Sequence, residues 1–197
     1  MPRGWCYLVI SFVCMFGGIM LVCKVDPELL NHRGRWKKKK DTKPWDKFLM
    51  PAYGIMGLYV LIVIIGLDIR FQWSYLGFEF AIAGIVLFII GSILINWAMI
   101  VNTHFETTVR IQKDRDQKVI TSGPYRIVRH PGYVGAILWA VSTPLIIGSL
   151  VGLVPAAITV FLLVIRTWLE DKTLRGELNG YAEYAKRVKY RLVPPVW

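Results

Sequence analysis

The feature that most constrains this chain is an uncharged run of 35 residues at positions 131–165. As a single helix, the run would extend about 52 Å at 1.5 Å per residue, far more than the roughly 30 Å of hydrocarbon in a bilayer. The run must therefore reverse direction. Residues 148–155 read Gly-Ser-Leu-Val-Gly-Leu-Val-Pro and supply the glycines and the proline that a turn requires. We predict two short transmembrane helices packed as a hairpin.

Three further uncharged runs precede the hairpin, at residues 5–23, 48–67 and 80–103. Each is close to or above the roughly 20 residues that a transmembrane helix needs. The first run follows Arg3 as in a signal peptide, but it is too long and lacks a small-residue cleavage site, so we expect it to remain as a span. With 55% hydrophobic and 19% charged residues, the chain is predicted to be an all-α, polytopic integral membrane protein with five transmembrane helices.

The basic residues predict the orientation. Of the 24 Lys and Arg residues, 21 lie in residues 33–47, 110–129 and 166–191. By the positive-inside rule, these segments and the carboxyl end face the cytosol, and the amino terminus lies outside. The net charge of +11 would favour nucleic acid on a soluble fold, but between apolar runs it favours membrane lipids, so we expect no nucleic-acid partner. The three cysteines all lie in the first run, without a Cys/His cluster, and we expect no metal.

The loop between the third span and the hairpin carries more polar and aromatic groups than a connector needs. Apolar residues at 109, 111, 119 and 120 flank a charged stretch, which predicts a small β-hairpin. Residues 123–135 then read Gly-Pro-Tyr-Arg-Ile-Val-Arg-His-Pro-Gly-Tyr-Val-Gly at the mouth of the fourth span. Interfacial anchoring explains Tyr125 and Arg126, but it leaves the Arg-His-Pro-x-Tyr-x-Gly sequence unexplained. We interpret this sequence as part of a binding site.

A second cluster of ionisable residues follows the hairpin. If the last transmembrane helix continues beyond the membrane, Arg166 and Glu170 share one face and can pair. Ionisable side chains at this boundary tend to point into the protein or a polar cavity. Apolar residues then recur at helical spacing from Leu174 to Val188, interrupted near residues 179–180. This spacing predicts an amphipathic segment on the membrane surface that covers the pocket.

These motifs, in this order, resemble the isoprenylcysteine carboxyl methyltransferase family and its bacterial and archaeal relatives. The resemblance covers about the last 100 residues and includes the Gly-Pro-Tyr-Arg-x-Val-Arg-His-Pro stretch, the hairpin and the acidic pair Glu170-Asp171. A final Arg191-Leu192-x-Pro194 completes it. The family has two glutamates where this chain has Glu170-Asp171, and Phe-Gly where this chain has Glu177-Leu178. The second difference alters the segment that covers the pocket.

We expect one membrane domain over residues 1–197, with three N-terminal spans and a basic loop (31–47) in 1–103 and, as the resemblance implies, a methyltransferase core in 104–197. The resemblance implies methyl transfer from S-adenosylmethionine to a lipophilic acceptor, most suitably an isoprenylcysteine-like carboxylate, in a bacterial or archaeal cell membrane. The acceptor would enter from the bilayer and the cofactor from the cytosol, beneath a covering loop and a C-terminal helix. The implied cofactor-binding residues are Tyr125, Arg129, His130, Pro131, Tyr133, Gly135, Glu170 and Asp171.

The chemistry of this cofactor agrees with these residue types. The acidic pair can accept hydrogen bonds from a ribose or an amino group, Arg129 and His130 can donate to a carboxylate or a base, and tyrosines can face a sulfonium or adenine. A carboxylate acceptor is already ionised at neutral pH, so positioning does most of the catalysis. An arginine is its natural clamp, and Arg166 is the first candidate, with Arg129 second.

Three alternatives remain open. An amine or thiol acceptor would keep the fold and the cofactor but would need a base, for which Glu170 or His130 could serve. The catalytic candidates are therefore Arg166, Arg129 and Glu170. A nicotinamide-dependent sterol reductase shares parts of this architecture, but such proteins are usually longer and have more spans. A non-enzymatic membrane scaffold would bind no S-adenosylmethionine.

Overall fold

Helices form the body of the protein in a computed structural model that describes residues 2–197, apart from the side chain of Lys38. In chain order they are α1 (Pro2–Val25), α2 (Pro27–Gly34), α3 (Asp46–Ile55), α4 (Leu61–Phe71), α5 (Phe78–Val101), α6 (Pro131–Ile147), α7 (Leu153–Glu177) and α8 (Tyr181–Arg187). A π-helical turn, Met56–Val60, joins α3 to α4, so Asp46–Phe71 forms one span.

Four helices in the described chain are long and apolar enough to cross a membrane: α1, Asp46–Phe71, α5 and α7. The fifth apolar helix, α6, has 17 residues and spans about 25 Å at 1.5 Å per residue. It packs along α5 and α7, which are two of the four longer helices. The prediction of an all-α, polytopic integral membrane protein is therefore confirmed, and a count of five spans fits these helices.

The predicted hairpin of α6 and α7 is present, with its turn at residues 148–152. Gly148 ends α6 at φ +100°, a left-handed conformation that glycine adopts without steric cost. The guanidinium of Arg3 in α1 donates to the carbonyl oxygens of Leu145 and Ile146, at 3.3 and 3.0 Å. These bonds satisfy carbonyl groups that the end of α6 leaves without a helical partner.

Close packing of α5 against α6 depends on two glycines. A Cβ atom on Gly91 would lie 2.8 Å from the carbonyl oxygen of Gly135, and one on Gly135 would lie 2.6 Å from that of Gly91. Any side chain at either position would push the two backbones apart, as at other small-residue contacts between membrane helices. Gly135 thus serves the contact between the two helices.

The loop between α5 and α6 differs from the prediction. Residues 2–197 contain no β-strand, so the small hairpin predicted around residues 109–120 is wrong. The Gln112 N–H donates to Gln117 Oε1 at 2.8 Å, and the Gln117 N–H donates to the Gln112 carbonyl at 3.3 Å. The Val109 N–H donates to Asp46 Oδ2 at 2.7 Å. Local turns and side chains therefore take the backbone groups that a β-ladder would have paired.

The C-terminal segment folds over the end of the helical bundle. It breaks at Gly180, which has φ +80°, and continues as α8. Tyr181 and Tyr184 of α8 are buried in a cluster that contains Ala98 of α5 and Tyr125. The Tyr184 hydroxyl donates to the Tyr125 carbonyl at 2.7 Å. The break near residues 179–180 is as predicted, and α8 lies against the loop that precedes α6.

Candidate functional site

A cavity of about 650 Å³ runs from the loops that carry the basic residues into the helical bundle. The Lys, Arg, His and Glu side chains that line the cavity define its polar end: Arg33, His104, Glu106, Arg110, Lys118, Arg129, His130, Arg166 and Glu170. The far end lies between α1, α3, α4, α5, α6 and α7, and its lining includes Leu58, Leu61, Phe88, Trp139, Ala140 and Leu163. One chamber thus offers both a charged and an apolar environment.

Glu170 and Tyr133 join α7 to α6 at the polar end. The Tyr133 hydroxyl donates to Glu170 Oε2. The His130 ring stacks on the Tyr133 ring at a centroid separation of 5.8 Å. Among the described side chains, which do not include that of Lys38, no Lys, Arg or His nitrogen lies within 4.0 Å of the Glu170 carboxylate. Glu170 therefore presents a carboxylate with spare acceptor capacity to the cavity.

Arg166 does not pair with Glu170, contrary to the prediction from their spacing. Its Nε and Nη2 atoms donate to Asp46 Oδ1 and Oδ2, at 2.6 and 3.1 Å. Nη2 also donates to the Thr107 carbonyl at 2.8 Å, and Nη1 donates to the Tyr53 hydroxyl at 3.3 Å. A buried guanidinium favours a carboxylate that accepts in bidentate geometry, and Asp46, at a separation of 120 residues, provides it.

Asp171 and Arg129 form a second buried centre, in which Arg129 lines the cavity and Asp171 lies outside its lining. Arg129 donates to both Asp171 oxygens, at 2.7 and 3.2 Å, and to the carbonyl oxygens of residues 188 and 189, at 2.6 and 2.8 Å. Further donors to the Asp171 carboxylate, each at 3.0 Å, are Arg175, Tyr181 and Arg191. This centre ties the C-terminal tail to α7 and to the start of α6.

Six of the nine predicted site residues line the cavity: Tyr125, Arg129, His130, Tyr133, Arg166 and Glu170. The other three lie outside its lining. Pro131 begins α6, a position at which proline loses no helical hydrogen bond. Gly135 packs against α5, and Asp171 is occupied by its cationic neighbours. For these three residues, contact with a cofactor stays a prediction.

The loop after α5 supplies cavity residues that sequence reasoning missed. His104 Nδ1 and Thr108 Oγ1 are buried without a hydrogen-bond partner in the described chain, and both residues line the cavity. The Lys118 N–H approaches His104 Nε2 at 3.4 Å, so a neutral ring carries its proton on Nδ1. Burial lowers the pKa of His104, which favours this neutral form. The only sequence signal was their place directly after the third span.

An ionic network holds this loop against the first basic loop. Arg110 Nε donates to Glu106 Oε2 at 2.8 Å, Arg110 Nη1 donates to Asp41 Oδ2 at 2.8 Å, and Lys39 Nζ lies 3.2 Å from Glu106 Oε1. Burial alone would raise the pKa of Glu106, but the hydrogen bonds and charges of Arg110 and Lys39 lower it. The negative charge of Glu106 is therefore already balanced by these two cations.

The π turn of the second span borders the apolar end. Gly57 lies within this turn and lines the cavity. A Cβ atom at Gly57 would lie 3.1 Å from Thr159 Cγ2 of α7, so a larger residue would narrow the space between the two helices. π-helical turns are frequent at functional sites, because they displace side chains from regular helical spacing.

The fold and the cavity together define a polytopic integral membrane protein with a chamber that is polar at one end and apolar at the other. Residues 83–176, from within α5 to nearly the end of α7, match the model of the isoprenylcysteine carboxyl methyltransferase (ICMT) family. The chain is similar to this family through that region, and the resemblance drawn from its motifs is confirmed.

Individual relatives match over a similar stretch. A probable protein-S-isoprenylcysteine O-methyltransferase of Oryza sativa subsp. indica is 31% identical over 113 residues, which cover 53% of this chain and 56% of the rice protein. Protein-S-isoprenylcysteine O-methyltransferase B of Arabidopsis thaliana is 31% identical over 108 residues, 53% and 55% of the two chains. The Homo sapiens protein-S-isoprenylcysteine O-methyltransferase is 28% identical over 116 residues, 55% and 39%. The chain spans about half the length of the curated plant relatives it matches.

Proposed function

We propose that this chain is an integral membrane methyltransferase that uses S-adenosylmethionine to methylate the carboxylate of an isoprenylcysteine-like acceptor. The observation that carries the proposal is the two-ended cavity, with ionisable side chains at one end and apolar side chains between the spans at the other. A water-soluble donor and a lipophilic acceptor can meet in such a chamber. The family match and the names of the rice and human relatives support the same reaction.

The polar end fits S-adenosylmethionine. The Glu170 carboxylate can accept hydrogen bonds from ribose hydroxyls or from an ammonium group. His104 Nδ1 and Thr108 Oγ1, which lack partners among the described side chains, can bond to adenine or to a carboxylate. The stacked rings of His130 and Tyr133 provide a flat face. When bound, S-adenosylmethionine supplies an electrophilic methyl group on its sulfonium sulfur.

We propose that the charged group of the acceptor lies near Arg166. The rings of Tyr53 and Tyr133 lie 5.2 and 5.4 Å from its Cζ atom, and Asp46 fixes its orientation. An ionised carboxylate needs no general base, so the wall residues act by orienting the acceptor and by stabilising its charge. Arg129 is engaged by Asp171 and two backbone carbonyls, and we assign it to holding the loop that presents His130.

We also propose that the polar end faces the cytosol and that the amino terminus lies outside. The polar end opens among the segments that hold most of the basic residues, and the positive-inside rule assigns such segments to the cytosol. The acceptor then enters from the bilayer. The rice, Arabidopsis and human relatives are eukaryotic, so a bacterial or archaeal membrane stays a prediction.

The direct test is methyl transfer by the purified full-length protein in lipid vesicles. Radiolabelled S-adenosylmethionine is offered with an isoprenylcysteine, a lipid amine or a lipid thiol, and we expect label only in a base-labile ester of the isoprenylcysteine. Transfer to the amine or the thiol would reassign the acceptor and direct attention to Glu170 or His130 as the base. No transfer to any acceptor and no binding of S-adenosylhomocysteine by calorimetry would support a scaffold and overturn the proposal.

A further inference from the structure

Arg33 is a cavity residue that lies outside the region of the family match. It belongs to α2, in the segment between the first two spans, and it lines the cavity. Its Nη1 atom donates to the Phe105 carbonyl at 2.9 Å, and its Cζ atom lies 5.1 Å from the centroid of the Phe105 ring. The chain therefore holds this guanidinium in a defined position through one hydrogen bond and one ring face.

The charge of Arg33 has no close counter-ion. No carboxylate oxygen in the described residues lies within 4.0 Å of its guanidinium nitrogens. Burial lowers the pKa of Arg33, and the positive charge of Arg166 lowers it further, whereas Tyr53, Tyr133 and Glu106 act in the opposite direction. Glu106 is itself paired with Lys39 and Arg110. A partly buried cation without a paired anion is costly, and a bound anion would remove that cost.

Arg33 also has more free hydrogen-bond donors than Arg166. The Arg166 nitrogens already donate to Asp46, to a backbone carbonyl and to a tyrosine hydroxyl. A guanidinium carries five N–H groups, and Arg33 uses Nη1 alone in the bond described above. Its remaining fork is suited to a carboxylate in bidentate geometry. Arg166 then adds a second positive charge nearby, with its own charge balanced by Asp46.

We propose that Arg33 binds the carboxylate of the methyl acceptor. The inference rests on the proposed function and names the residue that recognises the acceptor's charge. In the transfer, a carboxylate oxygen forms a bond to the methyl carbon as the carbon–sulfur bond breaks, and the sulfur keeps the electron pair, so no proton moves. The product ester is neutral. Arg33 therefore loses its ionic partner when the reaction is complete, which favours release of the ester over the acid.

The test compares Arg33→Gln and Arg33→Lys with a matched control, Arg35→Gln, which removes an exposed arginine two residues away. Because a hydrogen bond to a charged group contributes about 1.5–3 kcal/mol, we expect Arg33→Gln to raise the KM of an isoprenylcysteine about 10- to 100-fold. The KM of Arg33→Lys should lie between the values of Arg33→Gln and the wild type, and the KM of Arg35→Gln should match the wild-type value. The methyl ester should inhibit all variants equally.

Binding of S-adenosylhomocysteine, measured by calorimetry, separates the two possible sources of a carboxylate. We expect its Kd to stay within about two-fold of the wild-type value in Arg33→Gln, which also shows that the variant is folded. A large loss of this binding, with an unchanged KM for the acceptor, would assign Arg33 to the donor's carboxylate and overturn the inference. If the wild-type protein is active and Arg33→Gln is fully active, the inference about Arg33 is overturned and the proposed function stands. An inactive wild-type protein would instead overturn the proposed function.

Discussion

Glu170 and Asp171 are neighbours in the chain, yet their carboxylates have different surroundings. Glu170 lines the cavity and accepts a hydrogen bond from the Tyr133 hydroxyl. Asp171 is fully buried, and Arg129 with three other donors occupies its oxygens. Consecutive residues on a helix point about 100° apart, which separates the two side chains. One carboxylate is therefore available to a ligand, and the other organises the protein.

Glu170→Gln should weaken ligand binding with little loss of stability. The amide keeps the size of the side chain and one accepting oxygen, but it removes the negative charge that pairs with an ammonium group and strengthens hydrogen bonds from ribose. Loss of one charge-assisted hydrogen bond predicts a rise of about 10-fold or more in the Kd of S-adenosylhomocysteine, measured by calorimetry. Glu177→Gln, on the same helix but in a half-exposed pair with Lys43, is the control. Equal affinity in all three proteins would exclude Glu170 from the cofactor site.

Asp171→Asn should instead destabilise the fold. The change leaves the buried Arg129 without its bidentate anion, and such a loss costs about 3–5 kcal/mol of unfolding free energy. Denaturant unfolding in detergent, monitored by tryptophan fluorescence, measures this quantity. Asp116→Asn removes a carboxylate from a solvent-exposed pair with Lys118 and should leave the unfolding midpoint unchanged. A stable Asp171→Asn protein that has lost only cofactor binding would support the original prediction of direct contact.

The membrane architecture could be predicted because bilayer thickness limits helix length. The 35-residue run at 131–165 was too long for one span, and the structure turns at Gly148 as its glycine suggested. The division at residues 103–104 into two parts stays a prediction. Local patterns failed for the loop at 109–120, because its conformation depends on distant partners such as Asp46.

The candidate site was predictable only where its residues formed a motif. Tyr125, His130 and Tyr133 fall in one short stretch, and all three line the cavity. Arg33 and His104 carry no motif, and they reach the cavity because α2 and the loop after α5 fold over its mouth. Periodicity within a helix also suggested a pair between Arg166 and Glu170, but it could not reveal a carboxylate 120 residues away.

Asp46→Ala should destabilise the protein and impair methyl transfer together. It leaves the buried Arg166 unpaired and also removes the acceptor of the Val109 N–H, so we expect a loss of about 3–5 kcal/mol. Asp41→Ala removes a half-exposed partner of Arg110 and should cost about 0–1 kcal/mol. Thermal unfolding in detergent, with and without S-adenosylhomocysteine, measures the stability of both variants. Wild-type stability in Asp46→Ala would show that Arg166 does not depend on this pair.

His104 should make the stability of the protein depend on pH in the acidic range. Its pKa in the folded protein lies below the ordinary value of 6.5, so the unfolded chain binds a proton more readily. The contribution of the neutral ring to stability is therefore complete above about pH 6.5 and declines as the pH falls towards the folded-state pKa. Between about pH 7.5 and 5.5, the unfolding temperature of His104→Gln should fall less than that of the wild type.

The control for this experiment is His32→Gln, which alters a histidine of α2 that is not part of the cavity lining. It should show the same decline in unfolding temperature as the wild type. If His104→Gln declines as steeply as both of these proteins, the pH dependence arises elsewhere and the buried imidazole makes no measurable contribution.

Gly57→Leu should restrict the apolar end of the cavity and leave the polar end intact. A Cβ atom at this position would lie 3.1 Å from Thr159 Cγ2, so the remaining atoms of the leucine side chain must occupy the space between the second span and α7. We expect a higher KM for an acceptor with a long isoprenoid chain, a smaller effect for a short-chain acceptor, and an unchanged Kd for S-adenosylhomocysteine. Gly66→Leu lies on the same span with open space around its Cβ and controls for the change in helix propensity. Equal KM values for long and short acceptors in Gly57→Leu would show that the acceptor's chain does not occupy this end of the cavity.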